Sequence, residues 1–531
     1  MPSIYLINPA ADFPSYFGSE AYTAAGLSPR VSTADLAITT VAAMVPDGFG
    51  VTLCDEHVVA IDFNTEAEFV GITGKISQWR RMVTIAAEFR KRGKVVLIGG
   101  PFASLDPETV RPHCDILVRG EIEEIAQGLF QSLIEGNWAN EYVGTRPDLK
   151  SSPVPRWDLY PNERAIQGTV QTSRGCPFEC EFCDVIAYLG RKQRHKSITQ
   201  VTNELNILKQ HGYRSAFLAD DNFTVYRSRA KELLGGLRHW NSSQCDGRFR
   251  FSTQVSIDAA ADDELLHMCA EAGLIDVFIG IETPNEDSLR EAKKRQNLRK
   301  NLAQEIQKFV DYGIVVQGGM IVGFDADDLN IFSRQFDFAM GTSVPIYSLG
   351  LLTAPVATPL YKRLEEEGRL VPGGSQTAAA PWSTNIVPKL MTREELLEGI
   401  TWLCNSLYHA TAFEERMIKL IRTFGRARRM KTGFRTGGPN RPIGNDSWSM
   451  DVLQVISKIP RLGSAEDKML SNILNALKGN PEAISVIGTP LVQYSQIRFM
   501  YEYGKIWNSK HRPSLELAGT SPTRAGRPNG I

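Results

Sequence analysis

Two series of short strand-like runs, each alternating with helix-like stretches, occupy about the first 370 residues of the chain. A strand followed by a helix and another strand is the repeating unit of parallel α/β sheets. Between the two series lies the sequence SSPVPRWDLYP, at residues 151–161, whose prolines favour an extended connector over a helix. The pattern therefore predicts two α/β units joined by a linker.

The first series has the order of a doubly wound sheet. Its predicted strands are Ile4–Ile7, Val51–Cys54, Phe69–Ile72, Val95–Ile98 and Ile116–Val118. Helix-like stretches such as Trp79–Arg90 lie between several of them. Small or polar residues follow each run, and ligands of open α/β sheets bind at such carboxyl-end loops. We therefore predict a Rossmann- or flavodoxin-like domain that holds a cofactor.

The second series predicts a parallel barrel or part of one. Its predicted strands are Thr169–Gln171, Ala216–Leu218, Phe249–Val255, Val277–Ile281, Val315–Val322 and Ile346–Leu352. Six βα repeats are typical of a partial (β/α)6 barrel. After about residue 370 helical patterns take over, as in Thr392–Leu407 and Ala465–Leu477, and the proline-containing end of the chain predicts a frayed tail.

These patterns predict the following organisation: a doubly wound domain at 1–145, a linker at 146–164, a partial barrel at 165–370, a mostly helical region at 371–507 and a flexible tail at 508–531. Hydrophobic residues make up 42% of the 531 residues and the net charge is -1, which excludes disorder for most of the chain. We find no signal peptide and no apolar run of membrane-spanning length, and so predict a cytoplasmic protein.

The near-neutral charge gives no overall attraction to nucleic acid, so a nucleic-acid partner is not expected. Basic residues do cluster between Arg416 and Arg441, interleaved with Phe424 and Phe434. Such a run could bind phosphate, RNA or lipid headgroups, but a solvated helix face is the favoured interpretation.

Three of the eight cysteines crowd into the segment SRGCPFECEFCD, directly after the first strand of the second series. The C-x3-C-x2-C spacing of Cys176, Cys180 and Cys183 lets one loop wrap three thiolates around one metal centre. Three thiolates are one short of a closed tetrahedral site. Spacing alone leaves open a structural zinc with His195 as the fourth ligand, a catalytic zinc, and an iron–sulfur cluster.

The cysteine spacing, with Phe182 just before the last cysteine and a βα barrel after it, resembles the radical S-adenosylmethionine (SAM) superfamily. The resemblance implies that Cys176, Cys180 and Cys183 hold a 4Fe-4S cluster and that SAM chelates the fourth iron. An electron from the cluster then cleaves SAM to a 5'-deoxyadenosyl radical, which removes hydrogen from unactivated carbon.

Other predicted strand ends extend the resemblance. The motif Ala219-Asp220-Asp221-Asn222 lies where the family binds the methionyl amino group, and Gly319-Met320-Ile321-Val322-Gly323 resembles the family's GxIxG motif beside adenine. The implied SAM contacts are Phe182, Asp220, Gln254, Ser256, Glu282, Gly319 and Ile321.

A doubly wound domain before such a barrel resembles the cobalamin-binding subclass. Its D-x-H-x-x-G fingerprint is kept at Asp55 and His57, but Ala60 stands where the glycine belongs, so His57 as a cobalt ligand stays open. The later elements fit better, and they imply cobalamin contacts at Thr73, Gly74, Ser77, Gly99 and Gly100.

The stretches GGMIVGFDADDLNIF, LGLLTAPVATPLYKRLEEEGRL and NIVPKLMTREELLEG are similar to the subgroup of cobalamin-dependent radical enzymes that includes the hopanoid C-2 methylase. Members of that subgroup carry Pro-Gly before Thr-Pro, whereas this chain has Val356-Ala357 before Thr358. A turn near the predicted site is therefore expected to differ.

The resemblance implies a radical SAM C-methyltransferase that passes a methyl group from SAM, via methylcobalamin, to a substrate carbon radical. Its cofactors are the 4Fe-4S cluster, SAM and cobalamin. Its expected partners are a small-molecule or lipid-like substrate and a reductant such as flavodoxin or ferredoxin. One alternative is cyclisation or rearrangement with the same cofactors, and another is a non-catalytic metal- or cluster-binding module that senses redox state or binds RNA.

Overall fold

The computed structural model describes residues 1–244, 247–377, 379–427 and 447–511. The strands are β1 (Ser3–Asn8), β2 (Val31–Thr33), β3 (Gly50–Asp55), β4 (Phe69–Thr73), β5 (Val95–Gly99), β6 (Ile116–Arg119), β7 (Glu141–Val143), β8 (Ala165–Val170), β9 (Ser173–Arg174), β10 (Arg194–His195), β11 (Ser215–Leu218), β12 (Arg250–Val255), β13 (Leu274–Glu282), β14 (Val315–Val322) and β15 (Ile346–Leu351).

The α-helices are α1 (Glu20–Ala24), α2 (Leu36–Ala42), α3 (Trp79–Lys91), α4 (Pro101–Leu105), α5 (Pro107–Val110), α6 (Ala126–Glu135), α7 (Val185–Tyr188), α8 (Ile198–Gln210), α9 (Arg227–Ser242), α10 (Asp263–Ala272), α11 (Glu286–Glu291), α12 (Leu302–Asp311), α13 (Ile331–Gly341), α14 (Pro359–Glu366), α15 (Arg393–Leu407), α16 (Ala410–Thr423), α17 (Ser447–Ile456), α18 (Ser464–Ala476) and α19 (Ile484–Tyr503).

The first sheet has six parallel strands in the order β3-β1-β4-β5-β6-β7. Alternate residues of β1 point to opposite faces: Tyr5 and Ile7 pack with α3, whereas Ile4 and Leu6 face the side covered by α2 and α6. A parallel sheet with helices on both faces confirms the predicted doubly wound domain. The short strand β7 was not predicted.

The second sheet has seven parallel strands in the order β15-β14-β13-β12-β11-β8-β2. Six of them come from the predicted partial barrel, which is confirmed. The seventh, β2, comes from the N-terminal part of the chain and pairs with β8 through Val31 opposite Ala165 and Thr33 opposite Gln167. This strand was not predicted from the sequence.

The N-terminal segment also reaches the other edge of the barrel sheet. The Tyr16 hydroxyl donates to the Leu349 carbonyl oxygen (2.8 Å) and accepts from the Leu349 amide (3.0 Å) on β15. The same hydroxyl lies 3.0 Å from that of Tyr501 on α19. Residues 16–33 therefore bind both edges of the open barrel and tie it to the first sheet.

The predicted helical region is confirmed over its described residues. Helix α15 begins at a capping box in which Thr392 and Glu395 bond each other's backbone amides. The predicted solvated basic face is wrong at Arg416, which is fully buried on α16 and donates to the Leu407 carbonyl oxygen at 2.8 Å. Residues 428–446 of the basic run and residues 512–531 of the predicted tail lie outside the described residues.

No helix within the described ranges is long and apolar enough to cross a membrane.

Candidate active site

The cysteine loop follows β8 and β9 at the carboxyl edge of the barrel. Gly175 enters it with a φ of 98°, and an added Cβ would lie 2.7 Å from the Lys192 carbonyl oxygen and 3.0 Å from that of Gly190. The Asp220 carboxylate holds the approach to the loop, because it accepts from the amides of Thr172 (2.7 Å) and Ser173 (2.9 Å). The backbone before Cys176 is thus fixed by glycine and by a buried carboxylate.

The three thiols of the loop are free of disulfides, and Cys180 is the most buried of them. Burial raises the pKa of Cys183 to about 12 and also raises the pKa of Cys176. Thiols whose pKa is raised in this way need a positive centre to ionise, and a metal cluster provides it.

A single zinc ion does not suit this arrangement. Within the described residues, no three His, Cys, Asp or Glu side chains converge on a single point, as the ligands of one zinc ion would. His195, the suggested fourth ligand, lies on β10 with its ring against that of Tyr226, 6.2 Å between centroids. Thiolates around an iron–sulfur cube bind different irons, so they need not converge on one ion. The donor set fits a cluster.

An ion network holds the middle of the cysteine loop. The Glu181 carboxylate accepts from Arg363 of α14 at 2.8 and 3.3 Å. The backbone carbonyl oxygen of Glu181 accepts from the Leu360 amide at 3.0 Å. Arg363 also donates to Asp325, in the loop after β14, at 2.7 Å. This fork-shaped contact joins the cysteine loop to α14 and to the end of β14.

A cavity of about 560 Å³ opens beside the loop, and we call it the mouth cavity. Phe182 and Ile321, two of the predicted SAM contacts, line it. The ring of Phe182 lies 6.1 Å from that of Phe324, between centroids, and Ile321 packs against the same apolar cluster. Three carboxylates line this cavity, those of Asp106, Asp184 and Asp221, and Asp221 accepts from the Gly175 amide at 2.9 Å. Burial raises the pKa of Asp221 to about 6.

The structure separates the two adjacent carboxylates that follow β11. Asp220 is 3% exposed and engaged by backbone amides, whereas Asp221 lines the mouth cavity. Asp220 was the predicted SAM contact, on the resemblance of the motif Ala219-Asp220-Asp221-Asn222 to the family's methionyl-binding position. Only the alternation of side chains beyond the strand end distinguishes them.

The remaining predicted SAM contacts line neither the mouth cavity nor the larger cavity described below. Glu282 is buried at the end of β13 with a φ of 62° and accepts from Lys294 Nζ at 2.7 Å. Ser256 accepts from Asn222, and Gln254 is exposed. An added Cβ at Gly319 would lie 2.8 Å from Phe278, so this position on β14 is closely packed.

A larger cavity of about 840 Å³, which we call the sheet cavity, lies at the carboxyl edge of the first sheet. Every predicted cobalamin contact lines it: Thr73, Gly74, Ser77, Gly99 and Gly100.

The sheet cavity fits a flat macrocycle with a tail. It runs from that edge down the sheet face, past Leu6, Gly71 and Leu97, and under Phe130 of α6. Gly100 has a φ of 91°, and a Cβ there would lie 2.4 Å from Thr73 Oγ1. A narrow apolar slot with a glycine-lined entrance suits the nucleotide tail of a corrinoid.

His57 lines the sheet cavity with both ring nitrogens engaged by protein atoms. Nδ1 lies 2.9 Å from Asp55 Oδ1, and Nε2 accepts from the Ala11 amide at 3.3 Å. Asp55 itself accepts from the Tyr160 hydroxyl at 2.6 Å. In this arrangement the imidazole is part of a hydrogen-bonded network and offers no free nitrogen to a metal.

The two cavities are neighbours that share part of their lining. Residues common to both are Lys75, Ser77, Pro101, Gln171, Tyr188 and Leu189. The first three come from loops of the first sheet, and the last three come from the barrel and the cysteine loop region. Ligands in the two cavities would therefore face each other across this shared lining.

Buried ion pairs fix the two sheets at this junction. Glu121, which follows β6, accepts from Arg174 (2.6 Å) and from Arg194 (2.8 Å) beside the cysteine loop. Lys196 pairs with Glu204 at 2.6 Å. The basic segment RKQRHK, residues 191–196, thus serves at Arg194 and Lys196 as a source of structural ion pairs.

The radical SAM superfamily matches residues 170–330, and a domain of unknown function (DUF4070) matches residues 358–502. The chain is 34% identical over 417 residues to the uncharacterized methyltransferase sll1242 of Synechocystis, with 76% of each chain covered. It is 31% identical to the hopanoid C-2 methylase of Rhodopseudomonas palustris, covering 62% of this chain and 64% of that protein.

Two solved structures share the fold. The radical SAM methyltransferase TsrM from Kitasatospora setae, with cobalamin and a [4Fe-4S] cluster bound, is 17% identical with a TM-score of 0.55, covering 75% of this chain and 84% of TsrM. The cobalamin-dependent SAM radical enzyme OxsB is 15% identical with a TM-score of 0.58, covering 95% of this chain and 84% of OxsB.

Proposed function

The chain belongs to the cobalamin-dependent enzymes of the radical SAM superfamily, and from that premise we propose that it transfers the methyl group of SAM to an unactivated carbon atom of a small molecule. The observation that carries the proposal is the shared lining of the mouth cavity and the sheet cavity. When bound, the cluster supplies the electron that cleaves SAM, and cobalamin supplies the carrier for the methyl group.

Different residues of the chain would hold the cluster, SAM and cobalamin. Cys176, Cys180 and Cys183 would hold three irons of the cluster. In the mouth cavity Phe182 and Ile321 pack against SAM. Those two aromatic and aliphatic side chains suit the flat face of adenine.

We assign binding of the charged end of SAM to carboxylates near the cysteine loop. Asp221 would accept a hydrogen bond from the ammonium group, and Asp220 would position the loop that carries Cys176. Glu282, Gln254, Ser256 and Gly319 stay proposed SAM contacts. They lie on or directly after the barrel strands β12, β13 and β14, and reach SAM only if it extends beyond the mouth cavity.

The corrinoid would occupy the sheet cavity. Gly99 and Gly100 let its tail pass close to the backbone, and Thr73, Gly74 and Ser77 border the same entrance. Gly71 also lines the cavity, and a Cβ there would lie 2.6 Å from Leu6 Cδ2, so this part of the sheet face has no room for a side chain.

The substrate space has an apolar wall. Phe102 and Leu105 of α4 line the mouth cavity, and so do Leu352 and Val356, which follow β15. We infer a substrate with a substantial apolar surface that reacts at carbon, and a low-potential protein such as flavodoxin or ferredoxin as its reductant. We also propose that the protein works in the cytoplasm, without a nucleic-acid partner.

The test is anaerobic reconstitution of the full chain, followed by quantification of iron, sulfide and cobalt. Reduction in the presence of SAM carrying a deuterated methyl group should yield 5'-deoxyadenosine, and with an acceptor also S-adenosylhomocysteine and a deuterated product. Cys176→Ala, Cys180→Ala and Cys183→Ala combined should abolish SAM cleavage. Cys114→Ala, a half-buried thiol of the first domain, is the matched control and should retain it.

The products decide between the alternatives. Formation of S-adenosylhomocysteine together with 5'-deoxyadenosine supports methylation, whereas 5'-deoxyadenosine without methyl transfer supports cyclisation or rearrangement. Zinc without iron, and no SAM cleavage under reduction, would contradict the enzyme assignment and favour a non-catalytic metal-binding module.

A further inference from the structure

A turn after α11, residues 294–297, lies against the cysteine loop, and we call it the anchoring turn. Asn297 fixes it, because its Nδ2 donates to the carbonyl oxygens of Gly280 (3.1 Å) and Ile281 (2.9 Å) at the end of β13. Asn297 is only 2% exposed. The turn is therefore held rigidly to the strand that ends beside the cysteine loop.

Gln296 extends from the anchoring turn to the most buried cysteine. Its Nε2 lies 3.8 Å from Cys180 Sγ, within hydrogen-bonding range for sulfur. Its Oε1 is buried and has no hydrogen-bond partner among the described residues. A thiolate only accepts hydrogen bonds, so the amide orientation with N–H toward sulfur is the one its chemistry requires.

The neighbouring cation does not duplicate this contact. Lys294 Nζ lies 2.7 Å from Glu282 Oε1, and the two side chains are 14% and 8% exposed. The ammonium acts on the cysteines through space, and Glu282 compensates part of its charge. Gln296 is therefore the side-chain donor to Cys180, whereas the backbone amides of Phe178 and Val185 donate to Cys176 and Cys183.

Hydrogen bonds to cluster sulfurs are one of the levers that set the potential of an iron–sulfur centre. Reduction adds negative charge, part of which resides on the thiolates, and an N–H donor stabilises that charge. We propose that Gln296 is a positioning residue that acts through Cys180 to raise the reduction potential of the cluster. The inference rests on the cluster assigned under the proposed function.

The test is an anaerobic redox titration with dithionite, followed by electron paramagnetic resonance, on the reconstituted full chain without SAM or substrate. Gln296→Leu removes the donor at similar volume and should lower the midpoint potential. Gln296→Glu replaces the donor with a carboxylate and should lower it further. Arg295→Gln, at an exposed residue of the same turn, should leave it near the wild-type value.

Iron and sulfide contents, measured before the titration, separate the two ideas under test. A wild-type protein without a cluster would contradict the proposed function. Full clusters with equal potentials in the wild type and Gln296→Leu would overturn the inference, and so would a shift of the same size in Arg295→Gln. If Gln296→Leu does not hold a cluster, the potential of Gln296→Glu decides in the same way.

Discussion

Substituting Gly175 by alanine tests whether the cysteine loop depends on one backbone geometry. The residue has a φ of 98°, and its Cβ would approach the carbonyl oxygens of Lys192 and Gly190 to 2.7 and 3.0 Å. Left-handed backbone costs an alanine about 1–2 kcal/mol. Overlap with two backbone oxygens, which cannot rotate away as a side chain can, adds about 1–3 kcal/mol.

Gly212 supplies the matched control. It has a φ of 93°, but an added Cβ would meet no atom within 4 Å. Gly212→Ala should therefore cost only the backbone part, about 1–2 kcal/mol. Gly175→Ala should cost about 2–5 kcal/mol and displace Cys176 as well.

Two assays separate these variants: the thermal unfolding midpoint, and the iron and sulfide retained after anaerobic reconstitution. We expect Gly212→Ala to lower the midpoint slightly and bind iron as the wild type does. Gly175→Ala should lower the midpoint further and lose most of its iron. If both variants bind the full complement of iron and unfold together, contact with the two carbonyl oxygens does not hold the loop.

Three further perturbations have expected outcomes. Burial raises the pKa of Asp221 to about 6. Only the ionised carboxylate attracts an ammonium group. The affinity for SAM should therefore fall about fourfold as the pH is lowered from about 7.5 to about 5.5. Equilibrium binding should show no such fall in Asp221→Asn; an equal fall in that variant would refute the assignment. Ala357 has a φ of 72°, so Ala357→Gly should stabilise the protein by about 1 kcal/mol, and an unchanged or lower unfolding midpoint would count against strain at that turn. Glu121→Gln removes the carboxylate that pairs with Arg194, which is 11% exposed, while Arg174 keeps its pair with Glu123 at 2.6 Å. The variant should cost about 3 kcal/mol, against less than about 1 kcal/mol for Glu141→Gln, which breaks the partly exposed pairs with Arg111 and Arg119. Equal urea midpoints for the two variants would contradict this.

The long strands and the doubly wound order were predictable because buried parallel strands are continuous β-branched runs. Strand β14 has the predicted bounds, Val315–Val322, and β5 differs from its prediction only by Gly99. The strands that were not predicted are short: β2 and β7 have three residues each, and β9 and β10 have two each. A run that short has no measurable periodicity, and its pairing partner decides whether it becomes a strand.

The candidate site shows the same limit. The cysteines were identifiable from their spacing, and the glycines at the edge of the first sheet from their place after strands. The roles of Asp220 and Asp221 depend on which way each side chain points after β11. Gln296 reaches Cys180 from a turn more than a hundred residues away, and no local pattern in the sequence connects them. Arg416 was predicted to be solvated because it is charged, whereas its position on α16 places it in the buried interior.

The pairing of β2 with β8 has a consequence for how the protein is made. During translation β2 emerges long before β8, its pairing partner. Until β8 has been made, β2 stays unpaired and the N-terminal part of the chain cannot complete its final structure. Such strands attract other chains. If the gene is split at the linker, β8 has an unpaired edge on one fragment and β2 is unpaired on the other. We therefore expect the two fragments to aggregate when they are produced separately and to be soluble when they are produced together.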